Sequence, residues 1–515
     1  MKRVKPVLNS SQMKAADNRT SEYYGIKPEI LMEKAALKIV DYISHRFGPQ
    51  VSVLIIAGPG NNGADAVAAF RLLMQNGYNA DLFIVPSDKY SPLMEMQTAI
   101  VRRYNYRINN ILPEKEYDII VDGLFGIGIN RPVNEPYTEI IQYINDADAT
   151  VISVDVPSGL NADTGAVMGS AVRADITITF NYLKSGMLTS NGVLYSGKIL
   201  VKDIGITEES LCEKPDIFFL ERCDVALPKR ERNVNKGSCG KLVIIAGNDK
   251  ICGAMSLSAM AAMRIGAGMV KVITHVNNKA TLETLLPDVL AYYYDSHDTI
   301  DKEELIKECA WADAILIGPG IGKDTYAVNL LKTVINDMSL PLIVDADGIN
   351  ILAENDNLLN ALKEKQERDV ILTPHLKEFE RISGVKITKI KEDIYTQVKK
   401  FLKEYPFTMV IKDAVTLIAD RKEIWINSTG NQALAKAGTG DVLAGMIAGL
   451  AVQEIKKTAG NNKTYENVGM INAAKCGVYL HGYMADKLVE ESLDNYYSLM
   501  ASDLCEAMKR ILGEF

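Results

Sequence analysis

Cysteine is sparse and unpaired in this chain of 515 residues: the seven present (Cys212, Cys223, Cys239, Cys252, Cys309, Cys476, Cys505) are an odd set with no C-x-x-C pair. That usage argues against a zinc site and against a disulfide framework, and it fits a reducing cytosol. Positive charge is not in excess either, since 57 Lys and Arg face 65 Asp and Glu for a net charge of −8. A basic nucleic-acid surface or a binder of anionic membranes is therefore not expected. Long hydrophobic runs are missing as well. The uncharged stretch Phe47 to Ala64 is broken by Pro and Gly turns, and the apolar stretches fall short of the ~20 residues a membrane helix needs. The start, Met1-Lys2-Arg3-Val4-Lys5-Pro6, is basic, but no apolar segment follows before Ser10 and Ser11. No export signal is expected, and the protein should be cytoplasmic with small molecules as its partners, not nucleic acid or membrane.

What is present is ordinary globular composition, 47% hydrophobic and 24% charged, which predicts a packed fold. The length predicts two or three domains at roughly 100–200 residues each. Short β-branched runs recur before Gly-rich turns: Val51 to Ala57, Ile119 to Asp122, Val151 to Val154, Leu242 to Ala246, Ala314 to Ile317 and Pro341 to Val344. Helical stretches such as Ala66 to Met74 and Ala254 to Ile265 lie between them. This alternation predicts an α/β class with parallel sheets. A charged, turn-prone passage near Gly205 to Lys236 marks the boundary, giving one domain at 1–214, a linker at 215–227 and a second domain at 228–515.

In the first half, Gly58-Pro-Gly-Asn-Asn-Gly63-Ala-Asp65 follows a strand and precedes a helix. Glycines there permit a tight turn, and helix N-terminal amides favour anions. The ordinary dinucleotide reading also wants an acidic residue at the far end of the next strand. Asp81 precedes its strand, Leu82 to Val85, and so sits at the wrong end. Two further strand ends carry carboxylates, Asp122 and Asp155, the latter followed by Pro157-Ser158-Gly159. In a parallel sheet such ends converge on one crevice. Asp122, the Asn62 amide oxygen, the Ser158 hydroxyl and backbone carbonyls would suit a monovalent or divalent cation. A single Asp at a strand end is often just a helix cap; two beside a matching Gly turn predict a site.

The second half holds the most specific motif, Gly430-Asn-Gln-Ala-Leu-Ala-Lys-Ala-Gly438-Thr-Gly440-Asp441, followed by the small-residue helix Met446 to Val452. Gly438-Thr439-Gly440 would aim successive N–H groups at a transferring phosphate, and Asp441 stands beside that spot as a general base. This resembles the anion hole of the ribokinase-like superfamily. Its companions are Ile411 to Leu417, a strand and turn against which an adenine nucleotide would lie, and Gly318-Pro-Gly320-Ile-Gly322. Val344-Asp345-Ala346-Asp347 and Thr373-Pro374-His375 complete the set. Lys236-Gly237-Ser-Cys-Gly240-Lys241 is not a Walker A loop, because the spacing and the following helix are absent.

Taken in order, these motifs closely resemble the bifunctional NAD(P)H-hydrate repair enzymes over nearly the whole chain. That family's N-terminal domain is Rossmann-like, a three-layer epimerase. Its three motifs correspond here to 58–66, 121–128 and 154–159. Its C-terminal domain, a ribokinase-like three-layer α/β dehydratase dependent on ADP or ATP, has motifs corresponding to 236–243, 318–322, 344–347, 373–375 and 437–441. The resemblance implies that Asn61, Asn62, Gly63, Ala64 and Asp65, with Gly126, Ile127, Gly128, Ile129, Asn130, Arg131 and Pro132, contact the hydrate. It implies Asn62, Asp122 and Ser158 as ligands of potassium, Asp155 as the substrate-binding acid/base residue for epimerisation at nicotinamide C6, and Lys184 as a helper. In the second domain Ala254, Gly322, His375 and Asp441 would contact the S-hydrate, with Asp441 as base. Lys412, Asp413, Ala414, Val415, Thr416 and Gly440 would hold ADP or ATP, with Mg2+. A homo-oligomer is expected.

Two departures from the family pattern stand out. Ala64 and Ala66 replace Gly and add methyl groups where a ligand would approach, and Leu376-Lys377 replaces the usual Pro-Gly after Thr373-Pro374-His375. Two other readings stay open at this level: a small-alcohol or vitamin-precursor kinase with a stable phosphorylated product, and a dehydratase fused to a non-catalytic nucleotide-metabolite binding module.

Overall fold

The computed structural model describes residues 5–296, 300–365, 368–459, 468–491 and 494–515. The described chain forms two units, one spanning Lys5–Ile217 and the other Phe218–Lys391 with Tyr395–Phe515.

In the first unit, alternation explains the sheet. Along the strand Ser52–Ala57, Val53, Ile55 and Ala57 enter one apolar cluster, while Leu54 and Ile56 enter another on the opposite face. Successive side chains of a strand point to opposite faces, so a strand covered on both sides reads as a continuous apolar run. The parallel order is Ile108–Asn109, Asn79–Ile84, Ser52–Ala57, Ile119–Gly123, Thr150–Val154, Ile176–Phe180, Lys198–Lys202. Helices Pro28–Arg46 and Asn61–Gln75 supply residues to the first cluster, and Tyr137–Asp146 to the second.

In the second unit the strands run Leu290–Tyr294, Met269–His275, Lys241–Ile245, Ala314–Ile317, Leu342–Val344, Val370–Leu372 and Thr408–Ile411 in parallel. Leu417–Ala419 and Ile424–Asn427 then add antiparallel. Helices Gly253–Ile265 and Thr439–Ala459 touch backbone to backbone, since a Cβ placed on Gly445 would lie 2.2 Å from the Ser258 carbonyl oxygen. Only glycine permits that approach.

Three expectations need correction. Helix Asn61–Gln75 begins five residues before the expected Ala66, because Gly60 is its extended N-cap and the Asn pair forms its first turn. Asp81 lies inside the strand Asn79–Ile84, not before it, and its carboxylate accepts from Tyr117 (2.8 Å) and pairs with Lys115 (2.6 Å). The passage 215–227, read as a linker, carries the strand Ile217–Leu220. Its apolar side chains give it a place to pack: Leu220 and Val225 join the second unit's core, and the Phe218 ring centroid lies 5.1 Å from that of Trp425. Among the described residues no helix is long and apolar enough to cross a membrane.

Candidate functional site

Each unit gathers its motif residues at the carboxyl ends of its parallel strands. In the first unit Asp122, fully buried, ends the strand Ile119–Gly123. Its carboxylate accepts from the Ser158 hydroxyl (2.5 Å), Ser158 N (2.9 Å), the Ser153 hydroxyl (2.8 Å) and Leu124 N (3.2 Å). Burial pushes its pKa up, and the Ser158 and Ser153 bonds oppose this. The Asn62 amide donates to the Phe125 carbonyl (3.0 Å), and Phe125 N donates to the Ser158 hydroxyl (2.8 Å). Asn62 Oδ1 faces Gly126, where a Cβ would be 3.3 Å away. The structure thus brings Asn62, Asp122 and Ser158 together. One buried carboxylate with carbonyl, amide and hydroxyl oxygens fits a singly charged hard cation. Among the described residues no group of three or more His, Cys, Asp and Glu side chains is placed to hold a metal ion.

Asp155 follows the next strand, with a left-handed backbone (φ 65°) that Asp tolerates better than most residues. Its Oδ1 accepts from Lys184 Nζ at 2.5 Å and from the Thr179 hydroxyl at 3.1 Å. Lys184, 1% exposed, also donates to the Thr179 hydroxyl (2.8 Å) and the Phe180 carbonyl (3.2 Å). The ammonium is therefore fixed against the carboxylate from the far side. Asp65, in the first turns of helix Asn61–Gln75, has its pKa raised well above the usual range by burial and then by the charges of Asp155 and Asp17. Asp17 is raised by burial and by Asp155 in turn. It lies on helix Ser10–Glu22, and no motif singles it out, so sequence reading missed it.

Two of the loop's glycines, Gly58 and Gly63, serve packing, whereas a Cβ on Gly60 would meet nothing within 4 Å. A Cβ on Gly63 would sit 1.9 Å from the Gly58 carbonyl oxygen. Gly63→Ala is therefore expected to destabilise the protein by about 1–3 kcal/mol as an overpacked site, read from urea unfolding. The expected crowding of ligand by Ala64 and Ala66 is not found. Both are fully buried in the core, and the Ala66 methyl is what a Cβ on Gly123 would meet, at 2.4 Å. Asn61 is exposed at the helix start, and 126–132 leaves the strand end as turns and loop.

In the second unit Asp345, 1% exposed, accepts on Oδ1 from the Thr373 hydroxyl (2.6 Å) and from Lys412 Nζ (2.7 Å). Lys412 N donates to the Pro374 carbonyl (2.8 Å). Burial works to lower the Lys412 pKa, but Asp345 and Glu378 outweigh it and the net shift is upward. Asp413, Ala414, Val415 and Thr416 form the turn between Thr408–Ile411 and Leu417–Ala419. Asp441 stands in the first turn of helix Thr439–Ala459, next to Gly440. Its carboxyl is raised to about 7, by burial first and then by Asp345, with Lys412 opposing and Asp347 adding.

The Gly438 turn (φ 91°) is held from two sides. The Ser258 hydroxyl donates to the Asp441 carbonyl (3.1 Å), and His481 Nε2 lies 3.0 Å from the Thr439 carbonyl. A carbonyl only accepts, so Nε2 carries the proton; burial lowers the His481 pKa to about 4 and keeps the ring neutral. His375 caps helix Leu376–Ser383, its Nδ1 accepting from Lys377 N (3.1 Å) and Glu378 N (3.2 Å), so it orders its turn. Burial and then the charges of Lys412 and Arg381 lower its pKa. Gly322 N donates to Asp347 Oδ2 (2.9 Å), and a Cβ on Gly322 would be 2.9 Å from Asn248 Nδ2. Ala254, in the first turn of helix Gly253–Ile265, lies against Gly320, where a Cβ would be 3.1 Å from its own. His481 and Asn248 were invisible to motif reading, for neither stands in a motif.

Two family models match this chain: one described as NAD(P)H-hydrate dehydratase over residues 242–510, and one described as YjeF-related protein N-terminus over 28–186. The bifunctional NAD(P)H-hydrate repair enzyme Nnr of Moorella thermoacetica is 31% identical over 98% of this chain and 96% of its own length. That of Escherichia coli is 31% identical over 89% and 85%. The crystal structure of ADP/ATP-dependent NAD(P)H-hydrate dehydratase from Bacillus subtilis, co-crystallized with ATP/Mg2+, is 28% identical, covers 56% of this chain and 94% of that one, and has a TM-score of 0.46. By its two family matches and its full-length relatives, the chain belongs to the bifunctional NAD(P)H-hydrate repair enzymes.

Proposed function

We propose that the unit Lys5–Ile217 epimerises the R and S hydrates of NADH and NADPH, and that the unit from Phe218 onward dehydrates the S-hydrate at the expense of ADP or ATP. The observation that carries this reading is the raised Asp441 carboxyl beside a Gly438-Thr439-Gly440 turn and the Lys412 ammonium. A base whose pKa lies near neutrality is suited to take a hydroxyl proton at that pH. The C6 hydroxyl oxygen attacks the terminal phosphorus, its proton passes to Asp441, and the phosphorus–oxygen bond to the nucleotide breaks with its electron pair on the departing nucleotide. Phosphate then leaves C6 with the C–O electron pair, a C5 proton passes to solvent or to the departing phosphate, and the C5–C6 double bond of the dihydronicotinamide is restored.

Asn61, Asn62, Asp65 and the 126–132 loop are the residues offered to the hydrate in the first unit, with Asp155 and Lys184 moving the proton at C6. Potassium would be held by Asn62, Asp122, Ser158 and the Phe125 carbonyl, and bound there it would neutralise the buried Asp122 and order the loop. In the second unit, Ala254, Gly322 and His375 are offered to the S-hydrate, and 412–416 with Gly440 to the nucleotide, Lys412 at its terminal phosphate. Magnesium would come with the nucleotide phosphates. Asp347, whose Oδ2 takes the Gly322 N–H, offers its other oxygen to an ion that keeps most of its ligands on phosphate and water.

The test is to incubate the purified protein with mixed NADH hydrates, magnesium and ADP or ATP. Nicotinamide absorbance should return. A stable phosphorylated product without that return would favour the small-alcohol kinase reading instead.

A further inference from the structure

The anion hole of the second unit contains an ion pair whose two partners come from strand ends 67 residues apart in sequence. Asp345 is 1% exposed, so its carboxylate is anchored in the protein and does not wander in solvent. Its Oδ1 takes both the Thr373 hydroxyl (2.6 Å) and Lys412 Nζ (2.7 Å). The ammonium is thereby drawn onto the Gly438 turn: a Cβ added to Gly440 would lie 3.5 Å from Lys412 Nζ. The Lys412 backbone is fixed separately, by its N–H on the Pro374 carbonyl (2.8 Å) and by its ladder contact with His375. A free lysine side chain samples many rotamers. This one is pinned at both ends.

That placement matters for phosphoryl transfer, where negative charge spreads over the equatorial oxygens of the group in flight and catalysis rests on donors already in position. The Gly438 turn supplies N–H groups, and a pinned ammonium beside Gly440 supplies a full charge at the same spot. An ammonium reaching for the ribose or base of the nucleotide would have no need of a buried carboxylate to hold it there. We propose that Asp345 is a positioning residue, which holds Lys412 as the side-chain cation of the anion hole, acting on the phosphoryl group in transfer and not on the rest of the nucleotide. The inference rests on the dehydratase reading given above.

The test uses the full chain, magnesium and aluminium fluoride, which mimics a phosphoryl group in flight, together with the spent nucleotide, AMP where ADP is the donor and ADP where ATP is, with binding followed by calorimetry. Wild type should bind the spent nucleotide with aluminium fluoride about 10²–10³-fold tighter than that nucleotide alone, the scale of one preorganised donor. Asp345→Asn and Lys412→Met should each lose most of that increment, while affinity for the spent nucleotide alone stays within about threefold. The double variant should lose no more than either single variant, as expected for two groups acting as one.

Asp345→Glu keeps the charge but displaces the ammonium by a methylene, and it should lose the increment too; it decides the matter if Asp345→Asn does not fold. With hydrate present, the same variants should lower kcat and leave the nucleotide KM near wild type. An intact increment in Asp345→Glu or Asp345→Asn overturns the proposal. So does an equal loss of affinity for the spent nucleotide alone, or a wild type that binds the mimic no tighter than that nucleotide. The binding arm contains no hydrate, so its failure is separable from a failure of nicotinamide absorbance to return.

Discussion

Asp441→Asn is expected to remove nearly all dehydration, with a fall in kcat of about 10²–10⁴-fold, the range a general base contributes, while ADP or ATP still binds. Single-turnover recovery of nicotinamide absorbance reads the first effect and calorimetry the second; retained turnover would take Asp441 out of the base role. The wild-type rate has a pH signature. The Asp441 carboxyl is raised to about 7 by burial and then by Asp345, so it is protonated and inactive as a base below that value. The rate should rise with pH through neutrality and level off above it.

Stability should show the opposite slope. Folded Asp441 keeps its proton to about pH 7, whereas unfolded aspartate loses it near 3.8. The folded state binds more protons across that window, so stability falls as pH climbs through it. The asparagine variant escapes that fall. It should therefore melt higher than wild type at pH 8 and no higher at pH 4, the familiar exchange of stability for activity at a strained site.

The second large effect is expected at Asp155. Asp155→Ala should reduce conversion of the R hydrate to its spontaneous rate, leaving dehydration of the S-hydrate intact. Consumption of mixed hydrates by the variant should then stop after the S portion, with the remainder following slow spontaneous epimerisation. A variant that consumes both epimers at the wild-type rate removes Asp155 from proton transfer. The ammonium of Lys184, 1% exposed and 2.5 Å from Asp155 Oδ1, would be left buried without its carboxylate. Some loss of stability is expected too, since an unpaired buried charge is costly. Asp155→Asn, which keeps the shape and a hydrogen-bond acceptor, separates the two effects.

Most of what could be read in advance was local. Strands such as Ala314–Ile317 announced themselves by apolar runs, because both faces of a parallel strand are covered. Asp122 and Ser158 were legible as a pair because each closes a strand-and-turn motif, and neighbouring parallel strands bring such ends together. Asp17, Asn248 and His481 were not. Each reaches a site from an element whose own pattern is unexceptional, and only tertiary placement distinguishes it from any other polar residue on a helix or turn. The same holds for the partnership of Asp345 with Lys412: both residues stood in recognised motifs, yet nothing in either motif states that one holds the other. Ala64 and Ala66 misled for a related reason. Their loop position suggests exposure to ligand, but the helix starts earlier than its apolar pattern implies, and its first turns rotate both methyls into the core.

The backbone contact between Gly445 and Ser258 has a consequence for how errors propagate. The helix Gly253–Ile265 carries Ala254, offered to substrate, and the helix Thr439–Ala459 carries Asp441, offered to its proton. At this point no side chain acts as a spacer, so the distance between the substrate wall and the base is set there by two main chains in direct contact, like the closed jaws of a caliper. A wedge driven in at that point would open the gauge for recognition and for chemistry together, and neither could be retuned without the other.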